Sequence, residues 1–192
     1  GLFEDFKRRY KAYSKKDMHN DWDLLALAQH HGLPTRLLDW TESALVALWF
    51  AVEGGCEEDY GAVFVFLPDD KHLISHEDKQ EMIFTRRMTK VFSPDHISER
   101  ITAQQGWFTC HVITAKNNII PLAQHMRYKH KLQRIKIPKK AFPEIRELLN
   151  TMGINASTIF PDLVGLSRYL EWKHLKKDAS AVDDFWTGDE EE

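Results

Sequence analysis

Apolar residues along this chain follow two patterns, one with a period near 3.6 and one of short unbroken runs. In LFEDFKRRYKAY, Leu2, Phe3, Phe6 and Tyr10 recur near helical spacing and predict a first helix. After the polar break SKKDMHND, WDLLALAQHHG predicts a second helix. Asn20 or Asp21 can cap its start, and Gly32 stands where a left-handed C-terminal cap is wanted. Pro34 forbids continuation, so TRLLDW is predicted as a short strand. Thr41 or Ser43 can cap the next helix, Ala44 to Glu53, whose nine unbroken apolar residues predict burial on every side. Gly54 and Gly55 end it, and GAVFVFLP, from Gly61 to Pro68, predicts a strand with an apolar centre.

From Asp69 to Ser98 the chain is charged and irregular, which predicts a surface excursion with short helical pieces. WFTCHVI then predicts a strand, followed by a loop through Lys116 to Asn118. LQRIKIP predicts an edge-like strand closed by Pro138. FPEIRELLNTMG predicts a helix with Pro143 in its first turn and Gly153 as its stop. Pro161 opens a last helix, DLVGLSRYLEWKHLKK, and DDFWTGDEEE is expected to be a disordered acidic tail. The fold class expected from this mixture is α+β.

A length of 192 residues suits one domain. Hydrophobic content of 43% and charged content of 29% are those of a soluble globular protein. A net charge of −3 gives no global attraction to nucleic acid or to an anionic membrane. Cys56 and Cys110 lack C-x-x-C spacing, so a disulfide scaffold or zinc ribbon has no support. The spacing allows one bridge or two thiols, and a reducing, cytoplasmic interior is the simpler expectation. No signal peptide opens the numbered chain. The nine-residue apolar run is too short to cross a bilayer, which takes about 20 residues.

The densest chemistry lies in AQHHGLPTRLLDWTES, where polar side chains are set among Leu and Trp. Unpaired buried polar groups cost about 1–3 kcal/mol each, so such a segment must be held by hydrogen bonds, as a site wall or a polar corner. His30 and His31 point about 100° apart on a helix and do not readily chelate one metal. His72 and His76 have the i, i+4 spacing of a metal clip, but without H-E-x-x-H a solvated face is the expectation. No metal site is therefore expected. Arg36 offers a planar fork for a phosphate or carboxylate, and Asp39 could orient a ribose or a histidine. Separate structural ion pairs explain both equally well. Thr35 and Thr41 can bond a ligand or simply turn backbone. Arg100, Gln104 and Gln105 stand ahead of Gly106. The two amides suit a base or a nicotinamide carboxamide, and suit loop stapling as well. Between Arg127 and Lys140 there are seven Lys and Arg and no acid, which fits a phosphate-rich partner such as nucleic acid. A solvated strand face is the plainer expectation, because only Tyr128 interleaves the charges.

AQHHGLPTRLLDWT, followed by ALVALWFAVE and GAVFVF, resembles the bacterial FRG domain family. RITAQQGWFTCH, Arg100 to His111, is similar to the family's second signature, and IFPDLVGLSRYLEW, Ile159 to Trp172, to a third. The resemblance spans 21–176, between an N-terminal helical segment, 1–20, and an acidic tail, 177–192. The F/RG motif that names the family does not appear before Asp21, where the early basic residues lie in FKRRYKAYSKK. By analogy the family's layout is similar to ADP-ribosyltransferase-like folds. That implies a small split or mixed sheet with helices packed around it, and NAD bound in a cleft of the split sheet. LLDWTESALVALWFA would be the Thr/Ser-bearing strand that runs into a helix. No acid follows on the strand WFTCHVI, Glu99 being the nearest upstream.

Two functions are thus expected: an NAD-binding cleft with ADP-ribosyl transfer, or a non-catalytic nucleotide- or nucleic-acid-binding module of a defence or stress protein. The expected ligand-binding residues are His30, Thr35, Arg36, Asp39, Thr41, Arg100, Gln104 and Gln105. They are expected in one cleft, with Arg36 and Thr41 near the phosphates and Gln104 near the nicotinamide. The catalytic residue is not assigned.

Overall fold

A computed structural model describes residues 1–14, 17–54, 58–75, 79, 83, 88–95, 98–114 and 118–186, with side chains as far as 175. His76, Cys56, Gly55 and the last six residues of the tail lie outside the described residues.

Helix α1 (Leu2–Arg9) leads through a short 3-10 turn into α2 (Asp21–His30). The α2 start is capped as expected: the Asp23 N–H donates to Asn20 Oδ1 at 2.9 Å. Gly32 closes its far end with φ +81°, a conformation that favours glycine. Every residue from Trp22 to Ala28 is buried, so α2 is the central helix of the first core. Strand β1 (Leu37–Thr41) follows, then α3 (Ala44–Glu53) and β2 (Tyr60–Phe66). The second half contributes β3 (Lys90–Phe92), α4 (Glu99–Ala103), β4 (Gly106–Cys110) and β5 (Leu132–Pro138). Three further helices complete it: α5 (Phe142–Thr151), α6 (Ala156–Ile159) and α7 (Leu163–Trp186). The class is α+β. No helix among the described residues is long and apolar enough to cross a membrane.

The strands form two separate antiparallel sheets, one ordered β1-β4-β3 and the other a β2-β5 ribbon. In the first, Leu37 opposes Cys110, Trp40 opposes Trp107, and Phe92 opposes Phe108. Side chains alternate across a strand, so Leu37, Phe92, Phe108 and Cys110 share one face. That face packs on Trp22, Leu24 and Leu25 of α2 and on Phe3 of α1 in a single core. A second core joins Val46, Trp49 and Val52 of α3 to Phe142 and Leu149 of α5 and to Ile159 of α6. Gly61 lets β2 lie against α3: a Cβ there would stand 2.1 Å from the Ala51 carbonyl oxygen.

Several expectations change. Helix α3 is not buried on every side, because Leu45 is 40% exposed and Phe50 47%. Unbroken apolarity marks this helix as facing a core on one side and an open apolar cleft on another. The Asp69–Ser98 stretch is more than a surface excursion. It contains β3, whose Val91 and Phe92 are buried, and it sends Ile83 and Lys79 into the interior. Its charges masked a strand only three residues long. His72 is buried rather than on a solvated face: its Nδ1 accepts from the Asp69 N–H at 3.2 Å, and its ring meets Tyr128 edge-on. Arg100, grouped by sequence with Gln104 and Gln105, belongs to α4, and Gln104 is the C-cap of that helix. Helix α7 runs to Trp186, past residue 177, where the tail was expected to begin. Cys110 is a buried free thiol, and burial pushes its pKa up to about 12.

Candidate functional site: a cleft between the two sheets

The face of β1-β4-β3 turned away from the first core carries Trp40 and Trp107, cross-strand neighbours. Opposite them lies the β2-β5 ribbon, and the first turn of α3 closes one end. The space between is a cleft of about 640 Å³, lined by Trp40, Trp107, Val63, Ile135, Ser43 and Leu48 among others. That volume falls within the range of small-molecule sites, about 300–1,000 Å³.

The polar side chains of the cleft are fixed by hydrogen bonds that follow from the β1-to-α3 corner. Thr41 Oγ1 accepts from the Ser43 N–H at 3.0 Å and donates to the Gln104 carbonyl at 2.7 Å. Ser43 caps α3, its Oγ accepting from the Val46 N–H. The Trp40 indole N–H donates to Thr109 Oγ1 at 3.0 Å. Thr109 Oγ1 is in turn 3.0 Å from His111 Nε2. Burial holds His111 below the ordinary histidine range, with His125 adding to the effect. In the neutral ring the direction of this hydrogen bond follows the tautomer. The Trp107 indole N–H donates to Glu42 Oε2 at 3.0 Å. Among the described lining residues Glu42 is the one ionisable side chain. The cleft is thus an aromatic and aliphatic slot with a carboxylate at its rim.

The expected site residues fall into four places. Thr41 lies in the cleft corner. Gln104 and Gln105 form the turn that clamps this corner: the Gln104 side chain donates to the Ile159 carbonyl at 3.3 Å. The Gln105 carbonyl accepts from the Glu42 N–H at 3.2 Å, and Gln105 itself has φ 48°. Thr35 and Asp39 are joined through Gln29. Thr35 donates to Gln29 Oε1 at 2.5 Å, and Gln29 Nε2 donates to Asp39 Oδ2 at 3.0 Å. Arg36 lies at the other end of β1 beside Cys110 and donates to the His111 carbonyl at 3.4 Å.

The two motifs therefore do meet, as neighbouring strands, but the one cleft expected to hold both Arg36 and Gln104 is not formed. Antiparallel register sends the start of one motif to the end of the other, Leu37 to Cys110 and Thr41 to Gly106. At about 3.3 Å per residue this separates the Arg36 and Gln104 levels by roughly 17 Å.

His30 and Arg100 come together elsewhere, in a polar crevice of about 400 Å³ that also contains His31 and Asp162. Arg100 Nη2 meets Asp162 Oδ2 at 2.6 Å, and its guanidinium lies 4.9 Å from the centre of the Phe160 ring. His30 is held below the ordinary histidine range, first by burial and then by the His31 and Arg100 charges. All three signature segments of the sequence converge here. Among the described residues no group of three or more His, Cys, Asp or Glu could hold a metal.

Burial lowers three histidines, His30, His72 and His111, from 6.5. For each, the unfolded chain binds the proton more readily than the folded one. Their contribution to stability is complete above about pH 6.5 and is lost as pH falls through the folded-state pKa values. The urea midpoint is expected to drop between pH 7 and 5.5. His111→Gln, which keeps a hydrogen-bonding partner for Thr109, is expected to flatten part of that drop. An unchanged slope in the variant would exclude His111 as a contributor.

Sequence reasoning overlooked Trp40, Trp107 and Glu42. The alternation in LLDWT and GWFTC held the signal, since both put a Trp on the face opposite Leu37 and Phe108. Their pairing needed the register.

No curated protein and no solved structure matches the chain. The model of the FRG domain matches residues 1–60, which run from α1 through the cleft corner to the first residue of β2. This match includes the first signature and ends before the second and third. It also includes α1, whose Phe3 shares a core with Trp22 and Leu37. Over residues 1–60 the chain is therefore similar to the FRG domain family.

Proposed function

We propose that the cleft between the sheets binds a nucleotide of the NAD type and that ADP-ribosyl transfer takes place there. The observation that carries this reading is the 640 Å³ slot between two splayed sheets, walled by Trp40 and Trp107 and ending at the β1-to-α3 corner. Indole faces suit a planar ring such as adenine or nicotinamide. The lining holds no Lys or Arg, so phosphates would rest on the N-terminal amides of the ten-residue α3, where a helix favours anions. NAD would supply an ADP-ribosyl group, with nicotinamide as the leaving group. The Glu42 carboxylate would offset positive charge developing at the reacting carbon.

A second reading, nucleotide binding without chemistry, is favoured by the strands themselves: none of β2 to β5 carries an acid. One experiment separates the two. At a hundredfold excess of NAD over its Kd, binding adds about 2.7 kcal/mol, which raises the melting temperature by roughly 5–10 °C in a chain of this size. Trp40→Ala and Trp107→Ala are expected to remove that rise. Glu42→Gln is expected to keep it and to lose nicotinamide release. A shift with no nicotinamide release by the unaltered chain establishes binding alone. The absence of any shift overturns both readings.

A further inference from the structure

We infer that the end of the cleft walled by Trp40, Trp107 and Glu42 is a subsite for an organic cation, a pyridinium ring or a quaternary ammonium. It lies in the cleft proposed above as the nucleotide site and requires that cleft to bind a ligand, whether or not the ligand is NAD.

Register and hydrogen bonds together fix the two indoles. Trp40 and Trp107 are cross-strand partners on the sheet face turned to the cleft. Their N–H groups draw them in opposite directions along the strands, Trp40 to Thr109 Oγ1 and Trp107 to Glu42 Oε2, each at 3.0 Å. With both N–H groups already bonded within the protein, the indoles have no donor left for a ligand, only their rings. Phe66 adds a third ring, its centre 5.6 Å from that of Trp40. The face of an aromatic ring is the negative pole of its quadrupole, and tryptophan attracts cations best of all.

The charges of the cleft point the same way. Its described lining holds one carboxylate, Glu42, and no Lys or Arg. Trp107 orients that carboxylate, which has no basic partner among the described residues. A slot for a neutral apolar molecule gains nothing from a carboxylate at its rim. An organic cation uses every part of the site. Its carbon atoms fill the apolar slot, its diffuse charge meets the indole faces, and Glu42 balances that charge. Two tryptophans can also serve as plain apolar wall, and in that case charge makes no difference to binding.

The test is isothermal titration of the full chain with cations and their neutral carbon isosteres: 1-methylnicotinamide against 3-methylbenzamide, and choline against 3,3-dimethylbutanol. At least one cation is expected to bind about tenfold more tightly than its isostere, and the better of the two tells a flat ring from a compact ammonium. Trp40→Leu and Trp107→Leu keep an apolar wall, and each is expected to remove most of that preference. Glu42→Gln, at an exposed position, is expected to lower the preference about threefold, which leaves most of a nucleotide's thermal shift in place. Tyr13→Leu, an exposed ring outside the cleft, is expected to change nothing, and circular dichroism checks that each variant folds. No binding of either cation overturns the proposal. So does equal binding of cation and isostere, or a preference that survives in the folded variants of Trp40, Trp107 and Glu42. A cation preference without any thermal shift from NAD keeps the subsite and removes the NAD reading. A shift from NAD without a cation preference removes the subsite alone.

Discussion

Replacing Asp23 by Ala is expected to cost about 3–5 kcal/mol, because it leaves the buried Lys79 ammonium short of a partner. Asp23 is 2% exposed and Lys79 6%. The Asp23 carboxylate accepts from Lys79 Nζ at 3.3 Å, from the Asp95 N–H at 3.1 Å and from Asn20 Nδ2 at 2.6 Å. The α2 cap and the segments at Lys79 and Asp95 are thus tied to one side chain on the central helix. Asp95 also meets Lys79, at 2.9 Å, which pulls the loss toward the lower end of that range. In a chain of this length the melting temperature should fall by roughly 6–20 °C. Asp23→Leu with Lys79→Met removes both charges and is expected to recover part of the loss, since apolar replacement of a buried pair is often neutral. A single Asp23→Ala variant within about 1 kcal/mol of the parent would mean that Lys79 finds water or another acid without cost.

Trp49→Ala is expected to destabilise by about 3–5 kcal/mol through the cavity it leaves in the second core. Trp49 is 4% exposed, and its ring meets Phe50 at 5.1 Å and Phe160 at 5.9 Å. It joins α3 to the segment between α6 and α7. The first core, built on α2, contains none of these residues. Hydrogen exchange should therefore report faster opening in α3, α5 and α6, with α2 and β4 protected nearly as before. Uniform loss of protection across both cores would show that they fold as one unit.

Much of the local structure was legible in the chain. Asn20 and Gly32 marked the ends of α2, Ser43 the start of α3, Pro143 and Gly153 the limits of α5, because caps and stops depend on backbone chemistry within a few residues. The strands at Leu37–Thr41, Tyr60–Phe66 and Leu132–Pro138 were legible for a similar reason, as apolar runs between breakers. Strand β3 was not, since three residues give no measurable period.

Pairing was decided only in three dimensions. Nothing local to LLDWT or GWFTC says that they run antiparallel, yet that register separates Arg36 from Gln104 and places Trp40 beside Trp107. The same holds for Phe64 and Arg134, about seventy positions apart in the chain and opposite one another in the ribbon. The sequence by itself determined the α+β class, the helix ends and the polar richness of the first motif, all properties of neighbours along the chain. The tertiary structure decided that α2 is the buried helix and that α3 borders an open cleft. It decided which motif residues staple a corner and which line the cleft, because burial and cross-strand contact depend on long-range packing that no window of sequence contains.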